Sequence, residues 1–435
     1  MKHSHPHRKT RLALLSAGLL LGGAAQALDF GPFTLNGFAK AEANRVSSLC
    51  KNCAVEPAEA RDRYWADELV QGKAYGAGDS HVVLVQPYLG VKFALPYSFK
   101  VGALVSQRWR DGKEDFKGFW YDKNAYVSHD DYGSVRIGAM TTRAWSMADY
   151  PFGSNIGLAD AWGSSGSGYG LLTRAVRVAT RALDVMEGDL VLEATYDKGK
   201  KGWSKNTPSF VELFAQYHKG DLVIDAIYQS AKNGTPSAFS HGPFTGLTPF
   251  PADDAKLGSS SQGIAMVMAR YQVDARWEIS GGLRANRWSG AWATVTTPGT
   301  GGGFDQWNNM FNVDWSPTNA ACPCQGYPAT SMDLSLGLRY RMGPWTVSTG
   351  FMHMGAAATA NPTERGQSNS AQINTVGLNY NFRNGLEIYG MAGMVRYARK
   401  GLAPLTMPSH SAFTNIDSRV ETSGNWLGAG AVYAF

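Results

Sequence analysis

Alternation with a period of two residues, sustained in segment after segment, constrains this chain more than any other feature. In the stretch Met332 to Arg341, Met332, Leu334, Leu336, Leu338 and Tyr340 fall on one side of an extended strand, and Asp333, Ser335, Gly337, Arg339 and Arg341 on the other. The same division sets Phe99, Val101, Ala103, Val105 and Trp109 against Lys100, Gly102, Ser106, Arg108 and Arg110, and Val135, Ile137 and Ala139 against Arg136 and Gly138. Sixteen such segments can be drawn, starting at Phe33, His81, Ser98, Phe119, Ser134, Leu172, Asp189, Pro208, Asp221, Gln262, Ala275, Ser331, Pro344, Gln372, Leu386 and Asn425. Their connections alternate in kind. Ala94 to Tyr97, Asp130 to Gly133, Met342-Gly343 and Arg383 to Gly385 are short and turn-forming. Arg45 to Ser80, Thr142 to Leu171, Ala231 to Ser261, Ser289 to Thr330, Gly355 to Ala371 and Ala398 to Gly424 are long and polar. A soluble sandwich also alternates, but its charged face is its outside and accepts Lys and Glu freely. Here arginine gathers opposite the apolar face, and Tyr88, Trp109, Trp277, Tyr340, Trp345 and Tyr433 stand near strand ends as two interfacial girdles would require. The expected fold is therefore all-β: a transmembrane antiparallel β-barrel of 16 strands with short periplasmic turns and long extracellular loops.

The two ends of the chain agree with that reading. Lys2, Arg8, Lys9 and Arg11 precede an apolar run from Leu12 to Ala24, and Ala25-Gln26-Ala27 has the small-x-small pattern of a signal-peptidase site. Residues 1–27 read as an export signal and residues 28–435 as the barrel. The apolar run is too short to span a bilayer as a helix. His3, His5 and His7 fall in the discarded segment, so the histidine tract reads as a solvated leader rather than a metal site. Four of the six net positive charges leave with it, and no Lys/Arg-rich run remains, so nucleic acid is not an expected partner. Beyond residue 27 no stretch holds 18 consecutive apolar residues and mean hydropathy is −0.25, which excludes a helical membrane protein. Leu427, Ala429, Ala431, Tyr433 and Phe435 share one parity, a closing strand with a lipid-compatible face.

With these features in place the chain resembles the trimeric general diffusion porins of the Gram-negative outer membrane. The resemblance is carried by Phe33 to Lys40, by Tyr132 to Met140 followed at once by a long loop, by Thr375 to Tyr380, and by the closing strand. It implies an outer-membrane channel for small hydrophilic solutes and ions, assembled as a homotrimer amid lipid and lipopolysaccharide. It also implies that the loop after the fifth strand, Thr142 to Leu171, folds inward and constricts the pore. The stretch Asp149 to Gly153 is similar to the family's Pro-Glu-Phe-Gly patch but lacks its Glu, so Asp149 and Asp160 are the acidic candidates. The family's opposing arginines map to Arg108, Arg110, Arg136, Arg177 and Arg181, with Arg143 and Arg174 at the loop's two roots. Opposed charge across a narrow aqueous gap biases ions. The excess of arginine over these two aspartates predicts a modest anion preference, although Asp333, Glu212, Asp225 and Glu193 also have inward parity.

Four cysteines fall in long loops, as Cys50-Lys-Asn-Cys53 and Cys322-Pro-Cys324. In an exported chain they read first as loop disulfides, with three connectivities open, and alternatively as zinc ligands or a redox pair. No catalytic residue, metal or cofactor is expected. His81, His129, His218, His241, His353 and His410 are scattered, the Gly163 to Gly168 run is not a nucleophile elbow, and Gly299 to Gly303 lacks an adjacent Lys-Ser/Thr. The functional alternatives are a passive channel and a barrel with a plugged lumen whose loops serve adhesion or surface binding.

Overall fold

A computed structural model describes residues 28–46, 78–114, 120–143, 171–198, 209–232, 247–249, 261–289, 292–294, 329–355, 370–382, 384–398 and 423–435. The signal segment 1–27, the four cysteines, and Asp149 and Asp160 lie outside these residues. The chain forms one closed antiparallel barrel of 16 strands. They are β1 Phe33–Val46, β2 Gly78–Ala94, β3 Phe99–Ser106, β4 Lys123–His129, β5 Gly133–Thr141, β6 Leu171–Ala179, β7 Gly188–Asp197 and β8 Ser209–Lys219. The second half comprises β9 Leu222–Lys232, β10 Ser261–Gln272, β11 Trp277–Ser289, β12 Ala329–Met342, β13 Trp345–Met354, β14 Ala371–Asn381, β15 Leu386–Tyr397 and β16 Ser423–Ala434. Each pairs with the next in sequence, and β16 returns to β1 with Phe38 opposite Ala434 and Val46 opposite Trp426. Among the described residues no barrel strand is left with an unpaired edge, which is the condition for a sheet to cross lipid.

Burial is inverted relative to a water-soluble protein. Lys40, Glu42, Arg177, Glu212, Asp225, Arg284 and Asp333 are buried, whereas Leu89, Ile137, Leu213, Leu336, Val376 and Leu427 are exposed on the outer wall. The alternation read from the sequence thus has its apolar side outward, toward hydrocarbon. Aromatic pairs mark the short-turn rim: Trp277 with Tyr340 (ring centroids 4.4 Å), Trp345 with Tyr380 (4.8 Å) and Tyr433 with Phe435 (6.1 Å).

Fifteen of the strand starts lie within three residues of the expected ones, and β4 begins at Lys123 rather than Phe119. The difference has a cause. Tyr121 and Asp122 turn back on Ser106, whose hydroxyl donates to Asp122 Oδ2 (2.6 Å) and accepts from its amide (3.0 Å). Tyr88 is a correction of another kind. It has the parity of buried Leu84 and Gln86 and faces the interior, so it is no part of a lipid-facing girdle. Beyond Ser106 the β2–β3 pairing resumes only at Trp109–Arg110, because Pro87 has no amide hydrogen to give the ladder there.

Sequence-distant closure rests on one glycine. Gly37 donates to Phe435 O (2.8 Å) and accepts from Phe435 N (3.0 Å), while a Cβ at this position would meet Gln86 O at 2.5 Å, Pro87 Cα at 2.8 Å and the Phe435 ring at 2.9 Å. Only a residue without a side chain lets three strands approach this closely.

Two tight turns use residues unsuited to them. Tyr97 and Ser98 (φ 60° and 61°) link β2 to β3, and Met186 and Glu187 (φ 47° and 64°) lie before β7, where Leu183–Val185 folds back on it. Each non-glycine residue in the left-handed region costs about 1–2 kcal/mol. Replacing Met186 with Asn and Glu187 with Gly should therefore raise unfolding stability in detergent by about 1–2 kcal/mol. The exposed Lys219–Glu187 pair lost in the exchange adds little. An unchanged urea midpoint would show that these turns carry no such strain.

Candidate functional site in the lumen

The inward faces of β4 to β9 carry one continuous row of side chains, fixed by register alone. Tyr126 lies opposite Arg136, Arg136 opposite Arg177, Arg177 opposite Thr195, Thr195 opposite Glu212, and Glu212 opposite Gln229. Neighbouring inward positions in a barrel are about 5 Å apart across strands, so this row acts as a single electrostatic surface.

Arg143, the first residue beyond Thr142, is clamped onto that row. Its amide donates to both carboxylate oxygens of Glu212 (2.8 and 3.0 Å), and its guanidinium takes a two-pronged hold on Glu193, through Nε at 2.5 Å and through Nη2. The same guanidinium sits 5.1 Å from the Phe214 ring centre. Arg177 completes the network, donating to Thr195 Oγ1 (2.7 Å) and Thr141 O (2.8 Å) and lying 3.7 Å from Glu193 and 3.5 Å from Glu212. Two arginines and two glutamates thus fix the point at which the chain leaves β5. Tyr121, Ala139 and Leu171 form a buried apolar cluster.

Arg136 differs from its neighbours. It donates to Asn124 Oδ1 (2.6 Å) and stacks on Tyr126 (4.9 Å), and among the described residues no carboxylate comes within ion-pair distance. Its charge is held by neutral groups and projects into the lumen. Arg108 is buried with its guanidinium 5.4 Å from the Tyr121 ring, and Arg110 is half-buried on the same inward parity.

Two of the expected arginines are elsewhere. Arg174 shares the outward parity of Val176 and Val178 and is exposed. Arg174 and Arg177 are three positions apart, so one extended strand cannot present both to the same side. Arg181 lies past the end of β6 in the turn, exposed, with its guanidinium on Ala182 O (3.1 Å).

Other parts of the inner wall go beyond the arginine ladder. Phe210, Phe214, Ile227, Ile264, Met266 and Met268 are buried at inward positions of β8 to β10, an apolar stretch in a wall expected to be polar. Beyond it Arg284 and Asp333 face each other across β11 and β12, Arg284 Nε and Nη2 each 2.9 Å from Asp333 Oδ2, with the Gly355 amide on Oδ1 at 3.2 Å. Lys40 and Glu42 lie 4.0 Å apart, and Tyr389 donates to Glu42 (2.5 Å). Parity was the signal for all of these charges, because each falls opposite an outward apolar residue.

A family model for Gram-negative porins matches residues 23–400. The chain belongs to the Gram-negative porin family. It is accordingly an outer-membrane porin, and the lumen just described is the interior of its channel. No curated protein matches this porin by sequence. Among solved structures it is similar to an anion-selective porin from Comamonas acidovorans, with TM-score 0.57 and 13% identity over 93% of this chain and 99% of that one. It is also similar to OmpT of Vibrio cholerae, with TM-score 0.54 and 10% identity over 94% of this chain and all of that one. A trimer form of the latter gives TM-score 0.54 at 10% identity, covering 93% and 99%. At these identities the likeness is one of fold.

Proposed function

We propose that this porin is an open, non-enzymatic, homotrimeric channel for passive diffusion of small hydrophilic solutes, constricted by residues 142–171 and modestly anion-preferring. Residues 1–27 are its export signal, removed to leave the barrel of residues 28–435. The observation that carries the reading is the clamp on Arg143. Glu193 and Glu212 hold the start of the 142–171 segment against the inner wall, beside an apolar surface formed by Phe214, Ile227 and Met266. A segment entering the lumen at that point has wall of matching character to lie on, and Asp149 and Asp160 are its acidic candidates.

The anion preference rests on Arg136. Arg143 and Arg177 are balanced by Glu193 and Glu212, so the uncompensated charge of this row is the Arg136 guanidinium. In planar bilayers under a potassium chloride gradient, the reversal potential should show chloride more permeant than potassium. Arg136→Gln should lower the chloride-to-potassium permeability ratio about twofold, with the conductance retained. Cation selectivity in the unmodified protein would overturn the anion preference. A silent barrel that binds a ligand would favour the plugged, surface-binding alternative.

A further inference from the structure

A second set of charges lies on the same inner wall, toward the short-turn end. On β10, Ile264 is opposite Gln229 of the row described above, and Arg270 lies six residues further along the strand, about 20 Å away. Arg270 is half-buried and inward-facing, and it makes no hydrogen bond or ion pair among the described residues. Its neighbour across β11 is Ser280, followed across β12 by Gly337. The Ser280 hydroxyl is buried without a hydrogen-bond partner, as is that of Ser335 two positions from Gly337. Arg339 and Arg341 flank the group and share one carboxylate, Glu278, at 3.3 and 2.8 Å. Arg341 also donates to Gln272 Oε1 (2.6 Å). Asp225 and Glu387 stand at the edges, near enough to act on Arg270 and Arg339 through space.

Bracing the barrel accounts for Glu278 with Arg339 and Arg341. It leaves Arg270 and the two serine hydroxyls without a task. A guanidinium offers a planar fork of donors suited to an oxyanion, and a hydroxyl adds a neutral donor beside it. Small residues at Gly337 and Gly282 leave the adjoining inward positions of the wall without side chains.

We propose that Arg270, with Ser280 and the flanking Arg341, forms a second anion-binding station between the loop-root network and the short-turn mouth, suited to solutes carrying a carboxylate or phosphate group. It rests on the channel reading above and extends it. An anion leaving Arg136 would meet a second positive position before release, so the selectivity of the channel would be distributed along its length.

The test is block by a polyvalent anion. Channels are inserted by adding protein to one chamber only, and citrate, then inorganic phosphate, is titrated into each chamber in turn. Citrate from the short-turn face should reduce single-channel chloride current at lower concentration than from the loop face. Arg270→Gln should raise the half-blocking concentration at that face about fivefold. Ser280→Ala should raise it by a smaller factor, and Arg270→Lys should recover part of the effect. Phosphate block with the same pattern would place both oxyanions at one station, and block by citrate alone would assign it to carboxylates. Equal half-blocking concentrations in Arg270→Gln and the unmodified protein, or equal block from both faces, would overturn the station while leaving the channel intact. Absence of conductance in the unmodified protein would overturn the channel reading itself.

Discussion

Asp333→Ala is expected to destabilise the barrel by about 3–5 kcal/mol, because it takes from a fully buried guanidinium the carboxylate that its Nε and Nη2 both hold. The Arg284 side chain is 0% exposed and that of Asp333 1%. Removing the carboxylate also leaves the Gly355 amide without one of its acceptors, at the point where β13 ends. The double replacement Arg284→Met with Asp333→Ala should recover most of the loss, since a linear apolar chain fills the volume without a charge to neutralise. Urea unfolding in detergent, followed by tryptophan fluorescence and heat-dependent gel mobility, measures both. If the single and double variants unfold at the same midpoint, the pair is not the buried unit described. Exposed pairs make the contrast: breaking Lys219–Glu187 should move the midpoint barely at all.

Gly37→Val should be the most damaging single substitution at the junction of β1 and β16. Its branched side chain has backbone in the way on two sides, Gln86 O and Pro87 Cα, and neither can yield without shifting a strand. Overpacking of this kind costs about 1–3 kcal/mol where neighbours relax, and more where backbone must move. The expected outcome is loss of the compact gel form at temperatures where the unmodified barrel keeps it. Gly343→Ala is the matched control. It also carries positive φ (58°), but an added Cβ there meets nothing within 4 Å, so only the backbone preference of about 1 kcal/mol is lost. Equal effects from the two variants would show that space at Gly37 is not what matters.

The barrel itself was legible because lipid and lumen impose opposite demands at every second residue. Met332 to Arg341 shows this without any structural knowledge: Leu336 and Leu338 are exposed, and Asp333 and Arg339 buried, as their parity requires. Parity fails where the chain leaves a strand or where two faces are merged in the reading. Arg174 and Arg177 share a charge, yet an odd separation puts them on opposite faces. Arg181 has the same charge, but β6 ends at Ala179. The aromatic ring of Tyr88 suits a girdle, but its even parity with Leu84 and Gln86 turns it inward. The clamp on Arg143 could not be read at all, because Glu193 and Glu212 reach it from strands 50 and 69 residues away. Nor could the apolar wall of β8 to β10, where Phe214, Ile227 and Met266 look in sequence like outward residues with unremarkable neighbours.

The join between β1 and β16 sets the order in which this barrel can become finished. The other fifteen strand contacts all lie between elements adjacent in sequence, and hairpins such as β8–β9 and β12–β13 can form as soon as both arms exist. The ring has no such freedom: Gly37 finds its partner Phe435 only after every intervening strand has been exported. Until then two long edges with free amides and carbonyls persist, in a chain whose outer surface is already apolar. Escort through the periplasm and a catalysed final closure are therefore demands that the topology makes on the cell.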